Sequence, residues 1–226
     1  MKHHENLDQT QIERTKPNFD STLMLQARSQ SWNAIEAISK KIQPGMTEEE
    51  ATSIAQETLR ALGSEKFWHR TIVRLGSNTL KGFSDPSEKG VTLKSNDIFY
   101  LDLGPVWNGY EGDAGQTFVC GNDPEQTRCA QDCKEIFETV GLAWRSQGLT
   151  GQALYALADQ EAKRRGWILN LEINGHRLAD FPHALYYKGS LSDQPFSPTP
   201  LVWVLEIQIR HPSREFGAFY EDLLLA

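Results

Sequence analysis

The chain has few cysteines, no long apolar run and no secretory signal, and each shortage excludes a class of protein. Its 226 residues hold three cysteines, Cys120, Cys129 and Cys133, and so small and odd a number indicates free thiols in a reducing compartment. Cys129 and Cys133 lie on a predicted helix, where core packing is favoured over a zinc pair because no second pair exists. No apolar run approaches the ~20 residues of a membrane span. The N-terminus lacks the apolar stretch of a signal peptide, so we expect a cytoplasmic protein without a membrane partner.

Positive charge is also scarce. Lys and Arg number 23 against 30 Asp and Glu, which gives a formal net charge of −7. Nucleic acid is therefore not expected as a partner, because phosphate binding needs clustered basic residues. The hydrophobic share of 39% and the charged share of 23% suit a globular protein with a full core. An acidic chain of this kind can also absorb the charge of bound cations.

Helix and strand signals divide the chain into a short arm and one domain. Residues 1–18 are mostly polar and are predicted as an N-terminal arm, and residues 19–226 as a single domain. Helical patterns occur in two pairs, each followed by strand patterns, over residues 20–42, 47–63, 123–147 and 150–166. The halves match in outline. This order predicts an α+β fold with helices on one face of a curved antiparallel sheet and pseudo-twofold halves.

Residues 97–118 form the most informative stretch. Ile98-Phe99-Tyr100-Leu101 is typical of a buried strand and leads into Asp102. Turn residues such as Asn108-Gly109 then reverse the chain, and a second strand brings in Asp113, eleven residues after the first carboxylate. Two carboxylates in an apolar setting are costly unless a cation lies between them. An aspartate that caps its own turn is an equally weighted alternative at this point.

Three further side chains stand out beside this pair. Glu206 and Glu221 interrupt apolar strands. His176 lies in the loop-rich region of residues 174–200. Four acids in one small volume would repel each other strongly, whereas two divalent cations would cancel their charge. A histidine nitrogen favours Mn²⁺, Fe²⁺, Co²⁺ or Zn²⁺ over Mg²⁺ and Ca²⁺. Two such ions about 3–4 Å apart can activate water.

The order and spacing of these residues resemble the pita-bread metallopeptidases: methionine aminopeptidase, aminopeptidase P, prolidase and the creatinase-like proteins. In that family the ligands follow the order Asp, Asp, His, Glu, Glu, with the two aspartates eleven residues apart. The resemblance covers roughly residues 30–226 and implies the pita-bread fold of the catalytic domain alone. It also implies two divalent metal ions, with manganese favoured. The matching ligands are Asp102, Asp113, His176, Glu206 and Glu221.

The resemblance further implies a dinuclear metal-dependent hydrolase similar to an aminopeptidase. Its substrate would be a small Xaa-Pro or related peptide or an amide, attacked by a metal-bridging hydroxide. Glu206 is then the acid/base candidate. His183, seven residues after His176, matches the family's second active-site histidine, which would steady the oxyanion. The sequence is compatible with a homodimer and does not define the oligomeric state.

The residues expected around the substrate depart from the family pattern. Phe83 falls where the family has a pocket histidine, and His69 could replace that histidine in space, so both are substrate-pocket candidates. The family's Gly-His-Gly is here Gly175-His176-Arg177. These departures favour the first of two alternatives to a peptidase, whereas the complete ligand set disfavours the second. One is a metalloenzyme of the same fold that acts on a non-peptide C–N bond, and the other is a non-catalytic binding module.

Overall fold

The computed structural model describes residues 7–226, so the first six residues of the predicted arm lie outside it. In each half, helices are followed by strands, as the predicted α+β fold requires. The helices are α1 (Gln9–Ile12), α2 (Ser21–Ser39), α3 (Glu48–Ala61), α4 (Pro124–Gln147) and α5 (Gly151–Arg164). The strands are β1 (Lys66–Phe67), β2 (Ile72–Leu75), β3 (Asp97–Leu103), β4 (Pro105–Trp107), β5 (Tyr110–Glu111), β6 (Ala114–Cys120), β7 (Ile168–Leu169), β8 (His176–Arg177), β9 (Trp203–Arg210) and β10 (Gly217–Leu223). Short 3₁₀-helices span Gly76–Leu80, His183–Leu185 and Leu191–Asp193.

The strands form two antiparallel sheets. A seven-stranded sheet has the order β2-β3-β6-β10-β9-β7, with β8 paired to β9 beside β7, and a three-stranded sheet has the order β1-β4-β5. The central pair of the large sheet, β6 and β10, joins the two halves of the chain. Strands from both halves therefore lie side by side, and their side chains can meet on one face.

Helices cover the opposite face of this sheet. α2 contacts β3 and β6, and α4 contacts β9 and β10. Two apolar clusters fill the space between helices and sheet, and Cys129 and Cys133 are buried in one of them as free thiols, as core packing predicts. Because strand side chains alternate between faces, Leu101 and Ile207 point toward the helices while Asp102 and Glu206 point away from them.

Helix boundaries follow the capping signals in the sequence. Thr47 and Glu50 form a reciprocal capping box at the start of α3, and Asp123 caps α4 ahead of Pro124. Gly148 ends α4 in the left-handed conformation. No helix within residues 7–226 is long and apolar enough to cross a membrane.

Two segments differ from the sequence expectation. Residues 66–75 have the composition of a single strand, but they form two strands, β1 and β2, which belong to different sheets. The chain bends between these two strands, at residues 68–71. The arm also has more structure than its polarity indicates: Ile12 is buried in a core cluster, and Glu13 accepts a hydrogen bond from the indole of Trp203.

One buried ion pair ties the central strand β10 to the helical layer. Asp222 lies on the helix-facing side of β10, and its Oδ1 accepts a hydrogen bond of 2.7 Å from Nε of Arg28 on α2. Burial raises the pKa of Asp222, and the Arg28 guanidinium opposes that rise. Arg28 therefore offsets the cost of holding an anion beneath α2.

Replacing Arg28 with methionine should lower the free energy of unfolding by about 1–3 kcal/mol, because the Asp222 carboxylate then stays buried without its cation. Because ionisation of the buried Asp222 carboxyl is the costly state, the loss should be small at acid pH, where that carboxyl is protonated, and should grow as the pH rises. Urea denaturation followed by circular dichroism measures both effects.

Lys40→Met is the matched control, because it removes an ion pair at the end of the same helix. The Lys40 and Glu36 side chains are 70% and 68% exposed, so their pairing should add little stability. If the two variants lost equal stability, the ion pair to Asp222 would be no more than a surface contact.

Candidate metal centre

Four adjacent strands place acidic side chains in one row of the large sheet. Asp102 on β3 pairs with Gly115 on β6, which pairs with Glu221 on β10, which pairs with Glu206 on β9. Gly115 contributes no side chain, and the ring of Phe219 and the carboxylate of Glu221 lie where its Cβ would be. Asp113 lies two residues earlier, just before β6. The register of the sheet therefore concentrates four carboxylates on the face that the helices leave free.

His176 on β8 approaches the row from the second half of the chain. Its Nε2 lies 3.1 Å from Oδ2 of Asp113, 3.6 Å from Oε1 of Glu221 and 4.0 Å from Oε1 of Glu206. Nδ1 lies 2.8 Å from the carbonyl oxygen of Arg177, to which it donates in the tautomer that leaves Nε2 free. Asp113, His176 and Glu221 thus offer three ligand atoms within 4.8 Å of one another.

His69, in the bend between β1 and β2, closes the other side of the row. Its Nε2 lies 3.5 Å from Oδ1 of Asp102 and 3.4 Å from Oδ1 of Asp113. His69, Asp102 and Asp113 form a second group of three ligand atoms within 4.8 Å. Asp113 belongs to both groups and offers a different oxygen to each, which is the geometry of a bridging carboxylate.

Burial and mutual repulsion dominate the electrostatics of the row. Burial raises the pKa of Asp102 to about 7, and the charges of Asp113 and Glu206 act in the same direction. Burial, then Asp113 and Asp102, likewise raise the pKa of Glu221 well above its usual value. Burial opposes ionisation of Asp113 too, but the nearby His176 and His69 outweigh it and lower its pKa. These carboxylates would all ionise together if cations shared the site.

Two orphaned oxygens show that the residues fit metal ions. Oδ2 of Asp113 and Oε2 of Glu221 are buried and have no hydrogen-bond partner among residues 7–226. His176 Nε2 is close to that Asp113 oxygen, yet the pair does not meet hydrogen-bond geometry. Buried polar atoms without partners are costly. Oxygen and imidazole donors arranged in this way suit first-row divalent ions.

Glu206 lies at the edge of the row and outside both three-atom groups. Its Oε2 accepts a hydrogen bond of 2.7 Å from the backbone N–H of Gly175. Gly175 has a φ of 69°, and a Cβ there would run into the carbonyl of Val204, so glycine is required. Burial raises the pKa of Glu206, while His176 opposes the rise. Its raised pKa and its position outside both three-atom groups make Glu206 a candidate to exchange a proton.

His183 is held by a carboxylate that sequence reasoning did not single out. Glu111 on β5 accepts from Nδ1 of His183 at 2.6 Å and from its backbone N–H at 2.9 Å. Nε2 of His183 is thereby left for the pocket. Glu111 stands two residues before Asp113, and a second acid so close to the predicted ligand was the available signal.

Trp68 was also missed, although it lies beside three histidines. Its ring packs edge-on to His69, His176 and His183, with centroid distances of 4.4, 5.2 and 5.2 Å. The indole N–H donates to the carbonyl of Gly112. Trp68 thereby fixes the positions of the imidazoles relative to one another.

A cavity of about 350 Å³ opens onto the row, and Trp68, Phe83, Ile173 and Lys188 contribute to its walls. Phe83 is half exposed at the rim, 5.7 Å from the His69 ring. Arg177, by contrast, turns away from the site: it is fully buried and donates to the carbonyls of Val202 and Arg14. The arginine in Gly175-His176-Arg177 is therefore part of the scaffold.

Comparisons with known proteins agree with this geometry. The model of metallopeptidase family M24 matches residues 22–226. A Bacillus subtilis methionine aminopeptidase 2 is 24% identical over 76% of this chain and 78% of its own length. A Pyrococcus furiosus Xaa-Pro dipeptidase is 26% identical over 59% of this chain and 38% of its own. The X-Pro aminopeptidase structure from Thermotoga maritima superposes with a TM-score of 0.74 at 19% identity, covering 91% of this chain and 60% of that one.

These comparisons confirm the fold that the sequence resemblance implied. The chain spans less than two thirds of the length of the last two proteins. The structural likeness, at its low identity, shows the fold alone. The substrates named for those proteins are therefore stated of those proteins alone.

Adding Mn²⁺ at about 100 times its dissociation constant should raise the melting temperature by about 5–10 °C, since binding to the folded state adds about 2.7 kcal/mol. Glu221→Gln should remove most of that rise. Without metal the same variant should match the wild type at acid pH, where the Glu221 carboxyl is protonated in both the folded and the unfolded chain. Because burial and the neighbouring acids raise the pKa of Glu221 in the folded protein, the wild type should lose stability as the pH rises above the pKa of the unfolded chain, and Glu221→Gln should not share that loss.

Differential scanning calorimetry with and without chelator separates these effects. Glu138→Gln on α4 is the control: its carboxylate lies 3.8 Å from Lys134 on the exposed side of the helix and should leave the metal response intact. A full Mn²⁺ response in Glu221→Gln would exclude Glu221 as a ligand.

Proposed function

Because the chain belongs to metallopeptidase family M24, we propose that it is a dinuclear metal-dependent hydrolase that cleaves the C–N bond of a small peptide or amide. The observation that carries the proposal is the pair of ligand groups that share Asp113, one oxygen to each group. Two ions held this way supply a nucleophile from water at neutral pH and polarise the carbonyl of the substrate. Asp102, Asp113, His176, Glu206 and Glu221 are the proposed ligands, and manganese is the favoured metal.

The residues around the ions have separate roles in this proposal. Glu206 exchanges a proton with the attacking water and the leaving nitrogen, which its position at the edge of the row and its raised pKa support. His183 presents Nε2 to the developing oxyanion, and Glu111 prevents its ring from turning. Glu111 is thus a positioning residue, because it acts through His183.

The shape of the pocket supports a compact substrate. Its walls combine aromatic surface from Trp68 and Phe83 with the cationic Lys188 at the opening. Such a pocket suits a dipeptide whose carboxylate points outward, and the named relatives include an Xaa-Pro dipeptidase. Phe83 in place of the family's pocket histidine supports a second candidate, a non-peptide C–N bond in an apolar amide. The complete ligand row disfavours a binding module without catalysis.

The reconstituted protein should release amino acid from at least one member of a panel of Xaa-Pro dipeptides, other dipeptides and simple amides. His183→Ala should lower kcat by about 10²–10³-fold, the usual effect of removing one oxyanion donor. Its metal content should stay unchanged, because His183 lies outside both ligand groups. Amine release and elemental analysis on the same samples measure the two quantities.

Glu111→Gln is the companion variant, since it keeps the shape of the side chain but weakens its hold on His183. We expect a smaller fall in kcat and little change in KM. Normal turnover in His183→Ala would remove the proposed role of that residue. A protein that binds two ions yet cleaves nothing in the panel would overturn the hydrolase proposal.

A further inference from the structure

We propose that His69 is an additional metal ligand, which gives the ion at the Asp102 side of the row an imidazole of its own. The five-ligand pattern of the family contains one histidine, His176, and our sequence analysis placed His69 in the substrate pocket. The inference rests on the proposed dinuclear site and adds a residue to it. Three observations on the His69 ring carry it: its tautomer, its distances and the space made for it.

The tautomer of His69 is set by the backbone. Nδ1 lies 2.7 Å from the carbonyl oxygen of Arg70, which can only accept, so Nδ1 carries a proton. The lone pair of the neutral ring is then on Nε2 and points at the acids. Metal-binding histidines are commonly oriented by such a bond from the other ring nitrogen. His176 shows the same arrangement, with its Nδ1 against the carbonyl of Arg177.

The distances favour an ion over a proton between His69 and the acids. Nε2 faces two carboxylate oxygens, of Asp102 and Asp113, at 3.5 and 3.4 Å. A direct N–H···O bond is normally about 2.7–3.2 Å long, and a charge-assisted one is shorter still. Ligand atoms about 2.0–2.2 Å from a common ion lie roughly 3.0–3.5 Å apart. The spacing thus fits two edges of one coordination shell.

The sheet leaves room for this imidazole. A Cβ at position 104 would overlap Cδ2 and Nε2 of the His69 ring, so Gly104, just after β3, makes space for the ring. Trp68 closes the other side edge-on, and the His69 side chain is 7% exposed. A buried ring fixed on two sides and aimed at carboxylates is a pre-organised ligand. The ring also lines the cavity, so the feature that favours a ligand is the direction of Nε2 toward the carboxylates of Asp102 and Asp113.

The consequence is a pair of ions with matched surroundings. Each ion would have one histidine and one oxygen of Asp113, with Asp102 on one side and Glu221 on the other. A nitrogen donor at both positions favours transition ions over Mg²⁺ at both, because imidazole suits Zn²⁺, Fe²⁺ or Co²⁺ better than a hard cation. The site would then fill with two transition ions and select against magnesium even where magnesium is abundant.

The test compares metal binding and ligation in the wild type, His69→Ala and His183→Ala, with Zn²⁺ and Co²⁺ as probes. His183→Ala is the matched control: it removes a buried histidine that also touches Trp68 but belongs to neither ligand group. Equilibrium dialysis at fixed free metal should show two ions in the wild type and the control. In His69→Ala the second ion should bind about 100-fold or more weakly.

X-ray absorption of the zinc-loaded wild type tests the inference without relying on a variant. Two histidines for two ions give about one imidazole per zinc, whereas one histidine gives about one half. Gly104→Ala should weaken the second ion as well, since it displaces the ring but keeps it in the chain. Circular dichroism of the metal-free variants identifies any that do not fold.

The outcomes separate this inference from the proposed function. Unchanged affinity for both ions in a folded His69→Ala, or about one half imidazole per zinc in the wild type, would overturn the role of His69 and leave the dinuclear site standing. A wild type that binds no metal would overturn the proposed function itself.

Discussion

Repulsion among four carboxylates on one sheet face is the constraint on which the rest of the structure depends. Asp102, Glu221 and Glu206 lie in register across the sheet, and Asp113 joins them from just before β6. Burial already keeps part of this charge protonated. A scaffold that holds the acids this close must therefore be stabilised elsewhere. The apolar clusters beneath the sheet and the Arg28–Asp222 pair on its other face provide that support.

Sequence reasoning singled out Asp102, Glu206 and Glu221 because each acid interrupts an apolar strand. The structure places them in one row with Asp113, and their roles as metal ligands stay a prediction. Helix ends were equally accessible, since capping residues such as Thr47 and Asp123 act locally. The bend at residues 68–71 was not predictable: the residues keep a strand-like composition, and the break comes from pairing with two different sheets. The sequence predicted His69 as a substrate-pocket residue; its ring does line the cavity, and it also lies beside Asp102, which the strand-like composition of the segment did not indicate.

The residues that contact the row of acids could not be predicted from the sequence. Glu111 and Trp68 act through contacts with residues more than 40 positions away along the chain. A single sequence carries no trace of such pairings. Arg177 shows the opposite error: its position beside His176 attracts a functional interpretation, but the arginine points into the scaffold. Neighbours in sequence around a ligand alternate between faces, so adjacency alone does not indicate a shared role.

The contact of Trp68 with three imidazoles also gives the protein an internal optical probe. Indole emission responds to nearby protonated imidazole and to paramagnetic ions, and the rings lie within 5.2 Å of the indole. Filling the site displaces protons from the histidines and brings such ions next to the same ring. Trp68 is one of six tryptophans, so metal entering the centre would change one part of the total indole fluorescence and leave the emission of indoles far from the site unchanged.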